Sequence, residues 1–347
     1  MYIKKILWAI ALIGLVIFAF VAYYIYGAMF QPNTQFNNET AYIYVPTNAS
    51  YDQVREQLIP LLDDINTFDA LASQKKYTTN IKAGRFSITK GMSNNDIINS
   101  IRSRNLPIKI AFNNQNNLAD LAGRISSQIE TDSLSLLNAM TDESFLTKNG
   151  FSNVTALGMY LPNSYEFFWN TSAKDFRDKM LKEYNRFWTT TRKAQAEKLN
   201  LTPSKVITLA SIVHEESKQA DEQPRVAGVY LNRLRIGMAL QADPTLKFAA
   251  YQLPKYKNTV IRRVLNIHKE IDSPYNTYKN SGLPPGLITM PDLSAINAVL
   301  NPEKHSYLYF AADAKRIGYH KFAKTLRQHN NNAREYQSYL SSQGINK

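Results

Sequence analysis

The hydrophobic pattern of the chain begins with an unbroken apolar run near its N-terminus. Residues 6–26 contain about 21 apolar or aromatic side chains and no charge, enough to span roughly 30 Å of hydrocarbon as a helix. Lys4 and Lys5 precede the run, and three tyrosines gather at its far end as an interfacial belt. Because the run ends in YYIYGAMF, a poor cleavage site, the pattern favours an uncleaved single-pass anchor over a cleaved signal peptide. The two lysines predict a cytoplasmic N-terminus, with the bulk of the chain on the periplasmic (extracytoplasmic) side.

Alternating and helical patterns between residues 41 and 112 predict a small α+β unit, preceded by a polar linker at 31–40. In order, they indicate strand 41–46, helix 50–62 cut short by Pro60, helix 67–74, strand and turn 81–91, a helix from Ser93, and strand 106–112. The segment AGRFSITKGMSNNDIINSI within this unit resembles a LysM-like sugar-binding module. The alternative is a small domain that acts as a spacer or a partner-docking unit.

Helical periodicity dominates residues 113–336, and a polar tail that is expected to fray follows at 337–347. The pattern predicts helices at 118–129, 131–148, 173–199, 203–241 and 292–300, an aromatic loop at 156–168, an irregular loop at 273–286, and a hairpin of strands 307–311 and 318–322. The predicted fold class is therefore α+β. It consists of a transmembrane segment (1–30), a LysM-like domain (41–112) and a larger mixed α+β domain (113–336).

The segment 203–241 is predicted to form two consecutive helices, with the acidic pair Glu215–Glu216 at the end of the first. Pro203 is well placed to open that helix. On a helical wheel of about 100° per residue, Glu216 falls on the apolar side and Glu215 on the hydroxyl-bearing side. Burial disfavours the charged form, so an inward-facing glutamate has a raised pKa and suits general-acid chemistry. The structural alternative is a glutamate at a frayed helix end or in an ion pair.

The composition adds limits on compartment and partners. The 347 residues allow two domains, and the absence of cysteine excludes disulfides, thiolate metal sites, a cysteine nucleophile and a lipidation anchor, which favours an inner-membrane anchor. The net charge is +13, and without Lys4 and Lys5 the remaining 39 basic and 28 acidic side chains still give +11. An exported basic domain favours an anionic cell-envelope polymer or the membrane surface as partner, and not nucleic acid. A generally basic soluble surface is the alternative.

The sequence motifs of several kinds of catalytic chemistry are absent. The five histidines show no H-x-x-x-H spacing, and neither a G-x-S-x-G elbow nor a phosphate-binding glycine loop is present. The sequence therefore predicts no metal and no cofactor. What remains is acid–base chemistry by a carboxylate among loops rich in Tyr, Asn and Arg, the side chains that stack on sugar faces and hydrogen-bond to sugar hydroxyls and amides.

Five blocks in the second half of the chain carry a family resemblance. They are LASIVHEES, VYLNRLRIGMALQADPT, YNTYKNSGLPPGLI, YLYFAAD and GYHKFAKTLRQHN, and they occur in order over roughly residues 155–335. Together they resemble the YceG-like (MltG) endolytic murein transglycosylases, whose layout also includes an N-terminal anchor and a LysM-like unit. The pairing of Q-x-D-P-T with Y-N-T-Y-x(4)-G-L-P-P-G is highly specific.

Two departures from the family pattern stand out. In the family's A-S-I-V-E-x-E segment the second glutamate matches Glu216, whereas the first is His214 here. The family's E-G-x-x-x-P-D-T-Y segment appears as residues 157–165, with Leu157 and Asn163 in place of its two acidic residues. These departures put in doubt any role for those positions but leave the matched acid in place.

The resemblance implies an enzyme that cleaves the MurNAc–GlcNAc β-1,4 bond of peptidoglycan without water and leaves a 1,6-anhydro-MurNAc end. It implies Glu216 as general acid and then base, whereas a common hydrolase needs two carboxylates. It further implies a role in limiting glycan chain length, peptidoglycan synthases as partners, and a glycan groove lined by Asn232, Arg233, Gln241, Asp243, Tyr275, Asn276, Tyr278 and His320. A structural role is the alternative for each: Asn276 with 284–286 fixing the loop, and Arg233 pairing with Asp243.

Two other functions remain open from the sequence. A catalytically idle peptidoglycan-binding scaffold for synthesis enzymes would keep the fold without the reaction. A hydrolase would use Asp243 as the second carboxylate and leave a free reducing end. The retained Glu216 on an apolar face argues against the idle scaffold.

Overall fold

The computed structural model of the chain describes residues 2–257 and 259–344. Contacts between residues divide it into two compact units. The N-terminal unit runs to Ile110 and also includes the short segments Gln128–Thr131 and Tyr165–Ser172. The remaining segments form the C-terminal unit. Both units mix helices with two-stranded sheets, which confirms the predicted α+β class.

A single long helix, α1 (Tyr2–Phe30), begins the N-terminal unit. Its most apolar 18-residue window has a mean hydropathy of 2.7, and its side chains in that window are exposed. By length and composition α1 is able to cross a membrane, a property that a signal sequence shares. The polar segment 31–40, expected to be a linker, is hydrogen-bonded into the unit, since the buried Asn33 side chain bonds Asn94 and the backbone of Asp64.

Most of the rest of the N-terminal unit is a small sheet packed on short helices. Strands β1 (Thr40–Val45) and β2 (Gly84–Thr89) pair antiparallel with Ile43 opposite Phe86. Serine-headed capping boxes begin helices α2 (Tyr51–Leu58) and α4 (Asn94–Ser103), and Asp64 caps α3 (Ile65–Gln74). Helix α2 ends just before Pro60, as predicted. Buried side chains from β1, β2, α2, α3 and α4 form a single core.

The C-terminal unit is mainly helical. Its helices are α5 (Leu118–Ser126), α6 (Ser133–Met140), α7 (Glu143–Lys148), α8 (Ala173–Phe187), α9 (Thr190–Lys198), α10 (Pro203–Glu216), α11 (Gln223–Arg235), α12 (Asp243–Tyr251), α13 (Asn266–Lys269), α14 (Leu293–Leu300) and α15 (Leu326–Ser342). Strands β3 (Pro107–Phe112) and β4 (Asn163–Phe168) pair with each other, and most of their residues belong to the N-terminal unit. The antiparallel strands β5 (Tyr309–Ala312) and β6 (His320–Ala323) form the sheet of the C-terminal unit. Strand β4 lies where the sequence predicted a loop, and α15 extends through residues that were expected to fray.

Helix α10 lies at the centre of the C-terminal unit. Thr202 caps it and Pro203 opens it, as predicted from the sequence. Every residue from Val206 to His214 is buried, because α10 packs against α11, α12 and α14 on different sides. A helix buried all round is held rigidly by its neighbours, so the residue at its C-terminal end, Glu216, has a fixed position.

The last glycine of the G-L-P-P-G block permits a close backbone approach. A Cβ atom built on Gly286 would overlap the carbonyl oxygen of Val154, and the hydroxyl of Tyr275 lies 3.0 Å from the same point. We therefore expect Gly286→Ala to lower the free energy of unfolding by about 1–3 kcal/mol, the usual cost of overpacking. Gly123→Ala is the matched control, since Gly123 lies in α5 with open space around it and alanine favours a helix. Denaturant unfolding of both variants measures the difference, and equal midpoints would contradict it.

Candidate active site

Glu216 is the last residue of α10, and its carboxylate faces α11. The hydroxyl of Tyr230, on α11, donates a hydrogen bond of 2.6 Å to Oε1 of Glu216. Burial raises the pKa of Glu216 to about 7, although the Tyr230 hydrogen bond acts in the opposite direction. Near neutral pH, Glu216 therefore exists partly as the neutral acid, the form that can donate a proton.

The neighbouring carboxylate lies in a different environment. Glu215 is exposed, and its Oε1 accepts a hydrogen bond of 2.8 Å from Lys218 Nζ. The two glutamates thus point as the helical wheel predicted, Glu216 inward and Glu215 toward solvent and a basic partner. Adjacent positions in the sequence consequently hold one carboxylate in a cavity and one in an ordinary surface ion pair.

The cavity beside Glu216 has a volume of about 350 Å³. It is lined by α10, α11, the start of α12, the hairpin β5–β6 and α15. Five of the residues predicted to form the groove line this cavity: Arg233, Gln241, Asp243, Tyr278 and His320. A second cavity of about 310 Å³ shares Glu216, Ala312 and His320 with the first and is also lined by residues 317–319 in the turn of the hairpin. Glu216 therefore borders both cavities, which together are called the cleft below.

Arg233 supports the cavity wall through backbone contacts. Its guanidinium is almost fully buried and donates to the carbonyl oxygens of Leu308 at 2.6 Å and Leu240 at 2.5 Å. Arg233 does not form an ion pair with Asp243, which was the structural alternative for Arg233. Asp243 instead accepts a hydrogen bond of 2.6 Å from the Tyr278 hydroxyl. Arg233 thus joins α11 to the residues before β5 and α12, so its positive charge is fixed at the cavity.

Gln241 enters the cavity from an unusual backbone conformation. Its φ is +48°, in the left-handed region that non-glycine residues rarely adopt. The strain is held in place because the Gln241 N–H donates to the Thr277 carbonyl at 3.0 Å, and the next N–H, of Ala242, donates to the Thr277 hydroxyl. Strained residues of this kind cluster at ligand-binding positions, where the surrounding structure fixes them.

Three of the predicted groove residues do not line the cavity. Asn232 donates to the carbonyl oxygens of His305 and Tyr307, on another face of α11. Asn276 is fully buried, and its side-chain amide donates to the carbonyl oxygens of Lys269 and Ile271. These contacts match the alternative that Asn276 fixes the loop. Tyr275 is almost fully buried, with its ring 4.6 Å from that of Phe248. In the Y-N-T-Y block, only the last tyrosine reaches the cavity.

The residue at the first departure from the family pattern, His214, lies outside the cavity. It is almost fully buried, and its Nδ1 lies 3.2 Å from Asp292 Oδ2 without the geometry of a hydrogen bond. Burial lowers its pKa, so the ring is neutral near pH 7. In residues 2–257 and 259–344, no group of three or more His, Asp or Glu side chains is arranged to hold a metal ion.

Three site residues were not predicted from the sequence. Tyr230 contacts the acid itself, and Glu222 accepts hydrogen bonds from His320. His329 lines the cavity with its ring stacked on Tyr309 at 5.5 Å, and its buried Nδ1 has no hydrogen-bond partner within the described residues. The GYHKFAKTLRQHN block contains His329 and the VYLNRLRIGMALQADPT block contains Tyr230, so these blocks gave a signal for both residues. The partners of Tyr230 and Glu222 are distant in sequence, and no spacing rule pairs them.

The geometry defines a class of site. One carboxylic acid with a raised pKa lies in an open cleft lined by tyrosine, amide, imidazole and guanidinium groups. Such side chains hydrogen-bond to sugars, and a carboxylic acid that is protonated near neutral pH suits proton transfer to a glycosidic oxygen. The cleft therefore has the groups that acid–base chemistry on a carbohydrate would require.

Comparison with known proteins places the chain in a family. The sequence profile of the YceG-like family matches residues 43–335. The match covers most of the chain, so the protein belongs to the YceG-like family, as its motifs indicated.

Relatives and a solved structure agree with this assignment. A Bacillus subtilis (strain 168) protein named endolytic murein transglycosylase is 30% identical over 339 residues, covering 92% of this chain and 90% of the relative. A Streptococcus pneumoniae protein of the same name is 28% identical over 302 residues, covering 78% of this chain and 53% of that relative. A 2.6 Å crystal structure of a YceG-like protein from Listeria monocytogenes superposes with a TM-score of 0.56 at 27% identity, covering 85% of this chain and 99% of that one.

Proposed function

We propose that this protein is a membrane-anchored endolytic transglycosylase that cleaves the MurNAc–GlcNAc β-1,4 bond of peptidoglycan and leaves 1,6-anhydro-MurNAc ends. The observation that carries the proposal is the environment of Glu216, a carboxyl with a pKa near 7 that borders both cavities of the cleft. The relatives named endolytic murein transglycosylase supply the substrate class.

The reaction requires a single carboxyl group that acts twice. Glu216 first donates its proton to the glycosidic oxygen, and the bond from that oxygen to C1 of MurNAc breaks. The sugar's own C6 hydroxyl oxygen then bonds to C1, and its proton passes to the Glu216 carboxylate. No water is consumed, and the acid is restored for the next cycle. The Tyr230 hydroxyl stabilises the carboxylate that exists between these two steps.

Gln241, Tyr278 and His320 are the proposed substrate contacts, since they line the cleft beside Glu216. Asp243 orients Tyr278 through the 2.6 Å hydrogen bond between them. Arg233 is assigned to hold the cavity wall, because its donors are directed to backbone carbonyl groups. Asn232, Tyr275 and Asn276 are assigned structural roles because their side chains pack or bond elsewhere.

The remaining assignments concern location and biological role. Helix α1 is proposed as a single-pass anchor in the cell (inner) membrane, with the lysines at its start in the cytoplasm and the cleft outside. From there the enzyme would act on nascent strands, limit their length and work beside peptidoglycan synthases. The small β1–β2 unit is proposed as a LysM-like module that holds glycan near the membrane.

Product analysis tests the reaction. Full-length protein in detergent is incubated with intact peptidoglycan strands, and the fragments are separated and weighed by mass spectrometry. We expect internal fragments that end in anhydro-MurNAc, about 18 mass units lighter than the hydrolysis product because no water is added. Free reducing ends would instead support a hydrolase with Asp243 as second carboxylate. Intact strands, from protein that still binds glycan, would leave only the scaffold function.

A further inference from the structure

A buried carboxylate outside the cavity holds one of the cavity's side chains. Glu222 precedes α11 and is only 3% exposed. Its Oε1 accepts the backbone N–H of His320 at 2.7 Å, and its Oε2 lies 2.8 Å from Nδ1 of the same histidine. The hydroxyl of Ser217 donates to Oε2 at 2.9 Å. One carboxylate thus fixes both the backbone and the ring of His320.

The charge state of Glu222 decides which ring nitrogen of His320 carries the proton. Burial alone would raise the pKa of Glu222, but the hydrogen bonds from His320 and Ser217 lower it below its usual value. An ionised carboxylate accepts hydrogen bonds and cannot donate them. In the neutral imidazole, Nδ1 must therefore carry the hydrogen, and Nε2 is left as an acceptor.

Nε2 is also the nitrogen that remains available to a ligand. His320 lines both halves of the cleft, together with Glu216. Within the described residues, Nε2 of His320 forms no hydrogen bond, whereas the ring is held by Glu222 on one edge and by Phe310 at 5.0 Å. An oriented acceptor therefore lies beside the proposed acid.

From this geometry we infer that Glu222 is a positioning residue that fixes the tautomer of His320. In that tautomer, Nε2 of His320 accepts a hydrogen bond from a sugar hydroxyl or acetamido N–H. The identity of this ligand rests on the proposed function. The donor group belongs to the glycan on either side of the bond that Glu216 cleaves. The opposite tautomer would place an N–H at this point, which cannot accept from an acetamido N–H and which would reverse the direction of any hydrogen bond with a hydroxyl.

Glu222→Gln tests the tautomer directly. The amide of glutamine has nearly the same shape, but its NH₂ group at the Oε2 position would donate to Nδ1 and move the ring hydrogen to Nε2. The readout is ¹⁵N NMR of histidine-labelled full-length protein in detergent micelles, at a pH where the ring is neutral, with His320→Gln to assign the signal. We expect a protonated Nδ1 in the wild type and a protonated Nε2 in Glu222→Gln. A protonated Nε2 in the wild type would overturn the inference.

A double-mutant cycle tests whether Glu222 acts through His320. We expect Glu222→Gln and His320→Gln each to lower kcat/KM by roughly 10- to 100-fold, the range for losing or reversing one buried hydrogen bond. The double variant should be no worse than His320→Gln alone, since the two residues would act as one unit. Multiplicative losses would contradict this.

Ser217→Ala is the control for the tautomer measurement. It removes the hydrogen bond from Ser217 to Glu222 and leaves both contacts between Glu222 and His320, so we expect an unchanged tautomer. Thermal unfolding of each variant identifies any that fails to fold. The NMR result does not depend on catalysis, so a wild-type protein with the expected tautomer and no anhydro product would refute the proposed function alone. Active protein with the wrong tautomer would refute only the role of Glu222.

Discussion

Replacing Glu216 with glutamine is expected to reduce formation of anhydro ends by at least about 10³-fold, because the amide can neither donate nor accept the proton of the reaction. The loss should appear in kcat, since glutamine keeps the shape of the side chain and can still accept the Tyr230 hydrogen bond. Release of anhydro-MurNAc fragments from intact strands, measured over time by mass spectrometry, gives the rate. Binding of the same strands by the variant should be close to that of the wild type.

Glu215→Gln is the matched control for this substitution. It makes the same chemical change one residue earlier, in an exposed side chain whose partner is Lys218. Surface ion pairs contribute little, so its rate and stability should stay close to the wild type. If Glu215→Gln lost activity and Glu216→Gln kept it, the assignment of the acid would be wrong. If both variants kept activity, the reaction would not use this end of α10.

The stability of Glu216→Gln provides an independent check on the burial of that carboxyl. The folded-state pKa of about 7 lies above the reference value of 4.5, so the folded protein binds this proton more tightly than the unfolded chain. The resulting contribution to stability is complete below about pH 4.5 and is lost as the pH rises through 7. At pH 8, removing the charge should therefore raise the unfolding temperature relative to the wild type, whereas at pH 4 it should not.

The sequence predicted the elements whose signals are local. Pro203 opening α10, the helix that starts at Ser93, and the inward direction of Glu216 each depend on spacing within one helix, and the structure has all three. It missed strand β4, because the segment 163–168 is aromatic and follows a proline, and only pairing with β3 makes it a strand. Tertiary pairing overrode local preference there.

The candidate site was predicted less completely, for a related reason. A motif shows that a residue is near the site, but it does not show which way its side chain points. Asn276 and Tyr278 belong to the same Y-N-T-Y motif. The Asn276 side chain nevertheless bonds to buried carbonyl groups, whereas Tyr278 faces the cavity. Tyr230 and Glu222 were missed because their partners lie 14 and 98 residues away. Such pairs arise only when helices and the hairpin pack together.

Replacing Tyr230 with phenylalanine is expected to shift the alkaline limb of the pH–rate profile upward by about one unit. The general acid must be protonated, so the rate falls as the pH rises through the pKa of Glu216, about 7. The Tyr230 hydroxyl donates to the charged form of that carboxyl and favours it. A hydrogen bond to a charged group contributes about 1.5–3 kcal/mol, and one unit corresponds to about 1.4 kcal/mol, so its loss leaves Glu216 protonated to a higher pH.

Tyr309→Phe is the control, because Tyr309 lines the same cavity and its hydroxyl forms no hydrogen bond with Glu216. The alkaline limb should stay in place in that variant, while the rate at the optimum falls in Tyr230→Phe because the intermediate carboxylate loses its donor. The measurement is kcat/KM for strand cleavage from pH 5 to pH 9. A limb that moves to lower pH in Tyr230→Phe, or that moves equally in both variants, would show that Tyr230 does not set the ionisation of Glu216. An upward shift confined to Tyr230→Phe would mean that burial and one tyrosine together tune a single glutamate for both proton transfers.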